Sequence, residues 1–355
     1  MPDSMNNERL GPAMRAGRNS RFSETVAIGN FSEKCVNGGV GSRPVVVFVL
    51  GAQRSGTSAL ARVLSLCGGT LPAGMLGADS ANPRGCWEPR KVIGINEEIL
   101  YRNASAWFDP SMRLLAGDVF TARDRTACID RITLYLTTLP DSPVVVIKEP
   151  RITLVADLWF EAAHRAGLEA AAVIAIRDPE EVISSASASW GFSRTLSSAL
   201  WLKYNLLAER LTRGAPRVFI DYFNLLGDWR REMKRTSAAL DIDLDGGDGD
   251  TVEEFLSPSL RRHRRSGPTT ERPVADWLLA VHEELCAAGR GEAPDVSTLD
   301  RVFDSYCAGG TEVGAALDEF RQHVSSLRYK LARPVIARTL IELQAAVHLR
   351  KGTWA

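Results

Sequence analysis

Four short apolar runs punctuate the middle of the chain: VVVFVL at 45–50, VVVI at 144–147, AAVIAI at 171–176 and RVFI at 217–220. Three of them show no polar alternation, the pattern of strands covered on both faces. Between them, TLVADLWFEAAHRAG (153–167) and TLSSALWLKYNLLAERLTRG (195–214) space their apolar residues by three and four and stop at glycine, as amphipathic helices do. Strands alternating with helices predict a parallel sheet with helices on both faces, joined by right-handed crossovers. Outside this block the pattern changes. Residues 1–43 have no sustained apolar period and are rich in Gly, Ser, Asn and Arg, which predicts a disordered tail. DIDLDGGDGD (241–250) reads as a solvated, turn-rich boundary, without the spacing or closing glutamate of a calcium loop. Beyond SLRRHRRSG (259–267), helical spacing runs over about 273–288, 298–308, 311–330 and 334–349. The expected organisation is a tail (1–43), an α/β core (44–265) and a helical C-terminal subdomain (266–355).

The bulk numbers narrow the classes of function. A chain of 355 residues can hold one large α/β domain with an appendage. Its 45% apolar and 24% charged content is ordinary for a globular protein. The 43 Lys and Arg balance 43 Asp and Glu, so the bulk field gives no reason to expect nucleic acid or an anionic membrane as partner. No apolar run approaches the roughly 18–20 residues of a membrane span. No apolar stretch of signal-peptide length follows the start, and Asp3, Glu8, Glu24 and Glu33 argue against a transit peptide. The six cysteines, Cys35, Cys67, Cys86, Cys128, Cys286 and Cys307, are scattered, with no CxxC pair and no zinc-like spacing to histidine. A reduced, cytoplasmic chain is the expectation.

The first apolar run leads into candidate chemistry. In VVVFVLGAQRSGTSALARVL (45–64) a strand enters GxxxxG and then a helix. Such a turn aims backbone N–H groups and a helix N-terminus at one small volume, which is an anion site before any side chain is counted. Gly51 and Gly56 allow the tight path, Arg54 offers a planar fork, and Ser55, Thr57 and Ser58 offer hydroxyls. The lysine that follows the second glycine of ATP-binding loops is replaced by Thr57. No strand as delimited above ends on aspartate, so the magnesium-nucleotide machinery is incomplete. A donor that needs no metal fits better.

GAQRSGTSAL (51–60) resembles the 5′-phosphosulfate loop of sulfotransferases that use 3′-phosphoadenosine-5′-phosphosulfate (PAPS). AAVIAIRDPEEVISSASASW (171–190) is similar to that family's 3′-phosphate motif, an arginine at a strand end with a serine eight residues later, here Arg177 and Ser185. Pro179 suits the first turn of the helix that follows, and Glu180 and Glu181 suit its dipole. VVVIKEPR (144–151) ends on Lys148 and Arg151. The resemblance implies that a lysine there lies close to the transferred group, where it stabilises the bridging oxygen. Cytosolic members place a histidine shortly after that lysine; Glu149 and Pro150 stand here instead. NPRGCWEPRKVIGINEEIL (82–100) resembles the GxWE segment of bacterial carbohydrate and glycolipid sulfotransferases, which implies Glu88 as general base. LRRHRR (260–265) is similar to the basic segment that closes over the 3′ end of the donor, with Arg261 and Arg265 its leading members and His263 among them.

Each of these residues also has an ordinary reading. Arg177 at a strand end can form a surface ion pair, Glu88 can cap a helix dipole, and the arginine cluster can be a solvated turn. Glu149 is the rival base. Trp87 can stack on a sugar face or fill a core, and Trp190 and Trp201 can stack on adenine or pack between helices. With Arg151, Trp87 and Glu149 complete the candidate substrate contacts. What the resemblance implies is a P-loop-type three-layer α/β sandwich with a central parallel sheet. The donor would be PAPS, with no metal, and the acceptor a carbohydrate, glycolipid or other small-molecule hydroxyl. A homo-oligomer stays open. A degenerate P-loop kinase or NTPase and a non-catalytic anion-binding scaffold are the alternatives.

Overall fold

Every position of Val45–Gly51 (β1) after the first is buried, which is why the run is unbroken apolar sequence rather than alternating. The computed structural model describes residues 43–78, 82, 84–116, 119–256, 274–326 and 334–351. In it, β1 is a central strand of a four-stranded parallel sheet. Met75–Leu76 (β2) and Glu88–Pro89 (β3) form a separate short antiparallel pair. The main sheet is completed by Val144–Lys148 (β4), Glu169–Ile176 (β5) and Arg217–Asp221 (β6), in the order β4-β1-β5-β6. Register sets Val49 opposite Lys148, Gly51 opposite Ala175 and Ile176 opposite Asp221. The carboxyl ends of all four strands therefore meet at one edge. The chain passes from β1 to one side and later returns to the other, so the loop after β1 sits at the switch point where open α/β sheets bind ligands.

The helices are Thr57–Leu66 (α1), Arg90–Arg102 (α2), Ala122–Leu136 (α3), Ala156–Arg165 (α4), Pro179–Trp190 (α5), Arg194–Arg210 (α6), Tyr222–Gly227 (α7), Trp229–Leu240 (α8), Gly249–Phe255 (α9), Val274–Gly289 (α10), Val296–Ala308 (α11), Thr311–Ser325 (α12) and Pro334–Lys351 (α13). Alternate residues of β1 feed two different cores. Val46, Phe48 and Leu50 pack with Trp159, Trp201 and Leu285, whereas Val47 and Val49 pack with Leu60, Leu64 and Leu240. That is the three-layer arrangement, helices on both faces of a central sheet. Leu278, Val281 and Leu285 of α10 and Phe303 and Tyr306 of α11 belong to the same apolar cluster as Trp201 and Phe219. The Tyr306 hydroxyl donates to the Pro110 carbonyl at 2.6 Å. No described helix is long and apolar enough to cross a membrane, and the five described cysteines are free.

The structure modifies two predicted helices: that at 195–214 is observed as Arg194–Arg210, and the other changes at its start. Periodicity places it at 153–167, yet Pro150–Val155 is a 3₁₀ segment and the α-helix begins at Ala156. The reason is Thr153, whose hydroxyl accepts the Gly51 N–H at 3.1 Å. A buried backbone donor at the strand end must be satisfied, and the tighter turn delivers the hydroxyl to it.

Two glycines fix the path of the loop. Gly51 has φ 118° and a Cβ there would lie 2.6 Å from the Ala175 carbonyl oxygen. Gly56 has φ 87° and a Cβ would meet the Tyr222 ring at 2.2 Å. Gly56→Ala should therefore lower unfolding free energy by about 2–4 kcal/mol through strain and overpacking, read as a lower urea midpoint at unchanged slope.

Candidate active site

The edge where the strands end opens into a cleft of ≈ 320 Å³, within the range of small-molecule sites, roughly 300–1,000 Å³. Among the described residues lining it are five basic side chains, Arg54, Arg84, Lys148, Arg151 and Arg177, and one carboxylate, Glu88. A neutral protein thus concentrates positive charge in one concavity, which selects anions.

The β4 end supplies the first cluster. Lys148 is the last residue of its strand and almost fully buried. Its Nζ donates to Glu88 Oε1 at 2.6 Å, to Ser58 Oγ at 3.0 Å and to the Cys86 carbonyl at 3.1 Å. Ser58 comes from the first turn of α1 and donates in turn to the same carbonyl at 3.1 Å. Glu88 reaches this point because β3 pairs with β2, and the preceding Trp87 takes a left-handed φ of 57°. A hydroxyl from the start of α1, an ammonium and a carboxylate from three separate segments thus meet within hydrogen-bond distance.

The second cluster lies where β1 and β5 end. Arg54 (φ 68°) donates from Nε to Ser185 Oγ at 3.0 Å and from Nη1 to Asn82 Oδ1 at 3.3 Å. Arg177 donates from Nη1 to the Arg54 carbonyl at 3.0 Å and from Nε to Glu181 Oε2 at 2.9 Å. Its guanidinium carbon lies 4.9 Å from the Tyr222 ring centre. Glu181, read from sequence as a dipole-favouring residue, is a buried partner that orients Arg177. Pro179 is the first residue of α5, and Asp178 caps it by accepting the N–H groups of Glu180 and Glu181. The two sequence motifs, 51–60 and 171–190, are bonded to one another through Arg54 and Ser185.

Beneath the floor, Glu149 is fully buried. It accepts from Asn96 Nδ2 at 2.6 Å and from the Arg151 N–H at 3.3 Å, and pairs with the Arg151 guanidinium. Arg151 Nε also donates to Glu97 at 2.5 Å, and Asn96 is fixed by Trp159 Nε1 at 2.9 Å. Burial raises the Glu149 carboxyl above its ordinary range, with Arg151 pulling it down and the nearby Glu88 charge adding to the rise. Arg151 lines the cleft, but Glu149 does not.

No protein-family model matches the chain, and no curated protein matches it. Among solved structures, it is similar to the sulfotransferase domain of the olefin synthase from Synechococcus PCC 7002, over 78% of this chain and 99% of that one, at 15% identity and a TM-score of 0.35. It is also similar to the sulfotransferase domain from the curacin biosynthetic pathway, over 74% of this chain and 98% of that one, at 16% identity and 0.34. Likeness at that level says nothing of activity, so the chemistry rests on the residues of the cleft.

Of the residues singled out in the sequence, Arg54, Gly56, Thr57, Ser58, Glu88, Lys148, Arg151, Arg177 and Ser185 line the cleft together. Ser55 is fully buried behind the loop, and its Oγ has no hydrogen-bond partner among the described residues. Trp87 is buried, donates from Nε1 to the Arg84 carbonyl at 3.0 Å and stacks under Arg62 at 4.5 Å; it does not line the cleft. Trp190 lines the cleft against Trp107, ring centres 4.8 Å apart. Trp201 is core and donates to the Arg177 carbonyl at 3.2 Å. Arg261, His263 and Arg265 lie outside the described residues. The cleft also contains Gln53, Asn82, Arg84, Trp107 and Tyr222, which sequence reasoning did not select. Asn82 and Arg84 stand in the segment quoted for Glu88, so proximity along the chain is a usable signal for them. Trp107 and Tyr222 arrive by folding alone.

The placement of Glu149 generates a prediction. Removing its charge leaves the half-buried Arg151 guanidinium with Glu97 as its remaining ion-pair partner and an amide in a fully buried place, so Glu149→Gln should cost about 2–4 kcal/mol of stability. Chemical denaturation should show that loss, while ligand affinity measured on the folded fraction changes little.

Proposed function

We propose that the cleft binds PAPS and that the protein is a sulfotransferase acting on a hydroxyl of a carbohydrate, glycolipid or other small acceptor. The observation that carries this reading is a pair of cationic subsites along one carboxyl edge. Lys148 with Ser58 and Glu88 marks the β4 end, and Arg54 and Arg177 with Ser185 mark the β1/β5 end. A nucleoside with one anionic group on each side of its sugar needs two such places; a single phosphate needs one.

The residues divide the work as follows. The 51–58 backbone with Thr57 and Ser58 holds the 5′-phosphosulfate, and Arg177 with Ser185 holds the 3′-phosphate by charge-assisted bonds. Arg261 and Arg265 are assigned to the 3′ end by resemblance only. In the transfer, the acceptor oxygen forms a bond to sulfur as the bond from sulfur to the bridging oxygen breaks. Lys148 stabilises the charge developing on that bridging oxygen, and Glu88 takes the acceptor proton. Adenosine 3′,5′-bisphosphate is the other product. Lys148 and Glu88 bind one another at 2.6 Å, so the reacting oxygens each claim one member of an existing pair. Lys148 supplies beside the transferred group the positive potential that magnesium supplies to a terminal phosphoryl, while Arg54, bonded to Ser185, adds its charge on the 3′ side.

Three measurements test the reading. By calorimetry, adenosine 3′,5′-bisphosphate should bind at least about tenfold more tightly than 5′-AMP, since each phosphate bond is worth about 1.5–3 kcal/mol. Equal affinities would remove the 3′-phosphate site, and preferential binding of Mg-ATP would make the cleft a kinase site. Turnover of ³⁵S-labelled PAPS should need no added magnesium and gain nothing from it; donor binding without any turnover would make the protein a scaffold. Glu88→Gln should lower kcat by about 10²-fold or more at nearly constant adenosine 3′,5′-bisphosphate affinity. If Glu149→Gln is the dead variant instead, the base has been misassigned.

A further inference from the structure

Behind the β5–β6 end of the cleft, three ligand-bearing side chains converge. Asp221 is the last residue of β6, and His282 and Cys286 stand one helical turn apart on α10. Cys286 Sγ lies 3.4 Å from His282 Nε2 and 3.6 Å from Asp221 Oδ2, and the three ligand atoms all fall within 4.8 Å of one another. No other trio of His, Cys, Asp or Glu among the described residues converges in this way. From the geometry we infer a zinc-class transition-metal site formed by Asp221, His282 and Cys286, tying α10 to the end of β6.

The two distances to sulfur are those of a tetrahedral edge. With Zn–S near 2.3 Å and Zn–N or Zn–O near 2.0–2.2 Å, sulfur lies about 3.5 Å from a nitrogen or oxygen on the same ion. The two contacts to sulfur match that edge without rearrangement. The donor set of thiolate, imidazole and carboxylate suits a borderline cation and disfavours magnesium or calcium, which take oxygen ligands. Asp221 is held in place, because its Oδ1 caps α7 by accepting the Phe223 N–H at 2.6 Å and its Oδ2 faces the thiol. Such outer bonds orient a ligating carboxylate. Three protein ligands leave one position for water.

The trio is not arranged as a nucleophile triad. There the carboxylate would orient the imidazole, whereas here it faces the sulfur. The site also sits directly behind the donor cleft. Tyr222 follows Asp221 and lies under Arg177, and His282 meets the edge of Trp201, whose indole donates to the Arg177 carbonyl. An ion here would brace that wall independently of what the cleft transfers.

The full-length protein, stripped with a chelator and dialysed, is titrated with Co²⁺ and with Zn²⁺. One equivalent of Co²⁺ should give a thiolate charge-transfer band and the intense visible bands of a tetrahedral ion, displaced by Zn²⁺. Zn²⁺ should raise the melting temperature by several degrees, and Mg²⁺ and Ca²⁺ should not. Cys286→Ser should abolish the charge-transfer band, and His282→Gln should weaken Zn²⁺ binding at least about tenfold; Cys67→Ser, remote from the trio, should change neither. The inference is overturned if no band forms, if the band survives Cys286→Ser, or if Zn²⁺ leaves the melting temperature unchanged. These readouts need no sulfuryl transfer, so their failure and a failure of the sulfotransferase reading are distinguishable.

Discussion

An ammonium group enclosed at the end of a buried strand must be neutralised where it stands, and the carboxyl edge of this sheet is organised around that demand. Lys148 is 2% exposed, and an uncompensated charge at such depth costs several kcal/mol. Ser58 of α1 and the Cys86 carbonyl and Glu88 of one later segment answer it from two distant parts of the chain. Bringing Glu88 there needs the short β2–β3 pair and a left-handed turn at Trp87. Bringing Ser58 there needs the Gly51–Gly56 path and the start of α1. The local oddities of this edge are the conditions under which one buried charge is tolerated. Parallel register does the rest, because it aligns the strand ends that carry Lys148, Gly51, Ile176 and Asp221.

The fold was legible because its strongest signals are local. Val/Ile-rich runs, three of the four without alternation, separated by helical spacing are the pattern of strands covered on both faces, and all four runs are strands of the main sheet. The site was legible where a motif combines a strand end with a charged residue, as at Arg54, Lys148 and Arg177. What sequence could not show is which polar groups face inward. Glu149 directly follows Lys148, yet the turn into the 3₁₀ segment carries its carboxylate into the interior among Asn96 and Arg151. Glu88, sixty residues upstream of Lys148, reaches the cleft instead. Adjacency in the chain and adjacency at a strand end differ because the turn after a strand can send the next side chain inward while a remote pairing delivers another to the edge.

The aspartate at the end of β6 was missed for a related reason. Read as RVFI, the run stops one residue short; its pairing extends to Asp221, opposite Ile176. That aspartate does not line the cleft, so its presence does not restore a magnesium-holding carboxylate there. Likewise, histidine and cysteine four residues apart on a helix carry little weight in a sequence until the third partner arrives from a strand more than sixty residues away.

The opposition of a neutral whole and a basic cleft shapes how this molecule meets other charged bodies. With 43 residues of each sign, its far field is that of a dipole rather than a monopole, and at physiological ionic strength it fades over about 8 Å. A polyanion passing at a distance feels little pull. A small dianion at the mouth of the cleft meets five cations against one carboxylate at close range, inside low-dielectric walls that focus their field. Discrimination between long acidic polymers and compact charged metabolites is thereby built into the placement of charge, with no residue dedicated to refusing the former.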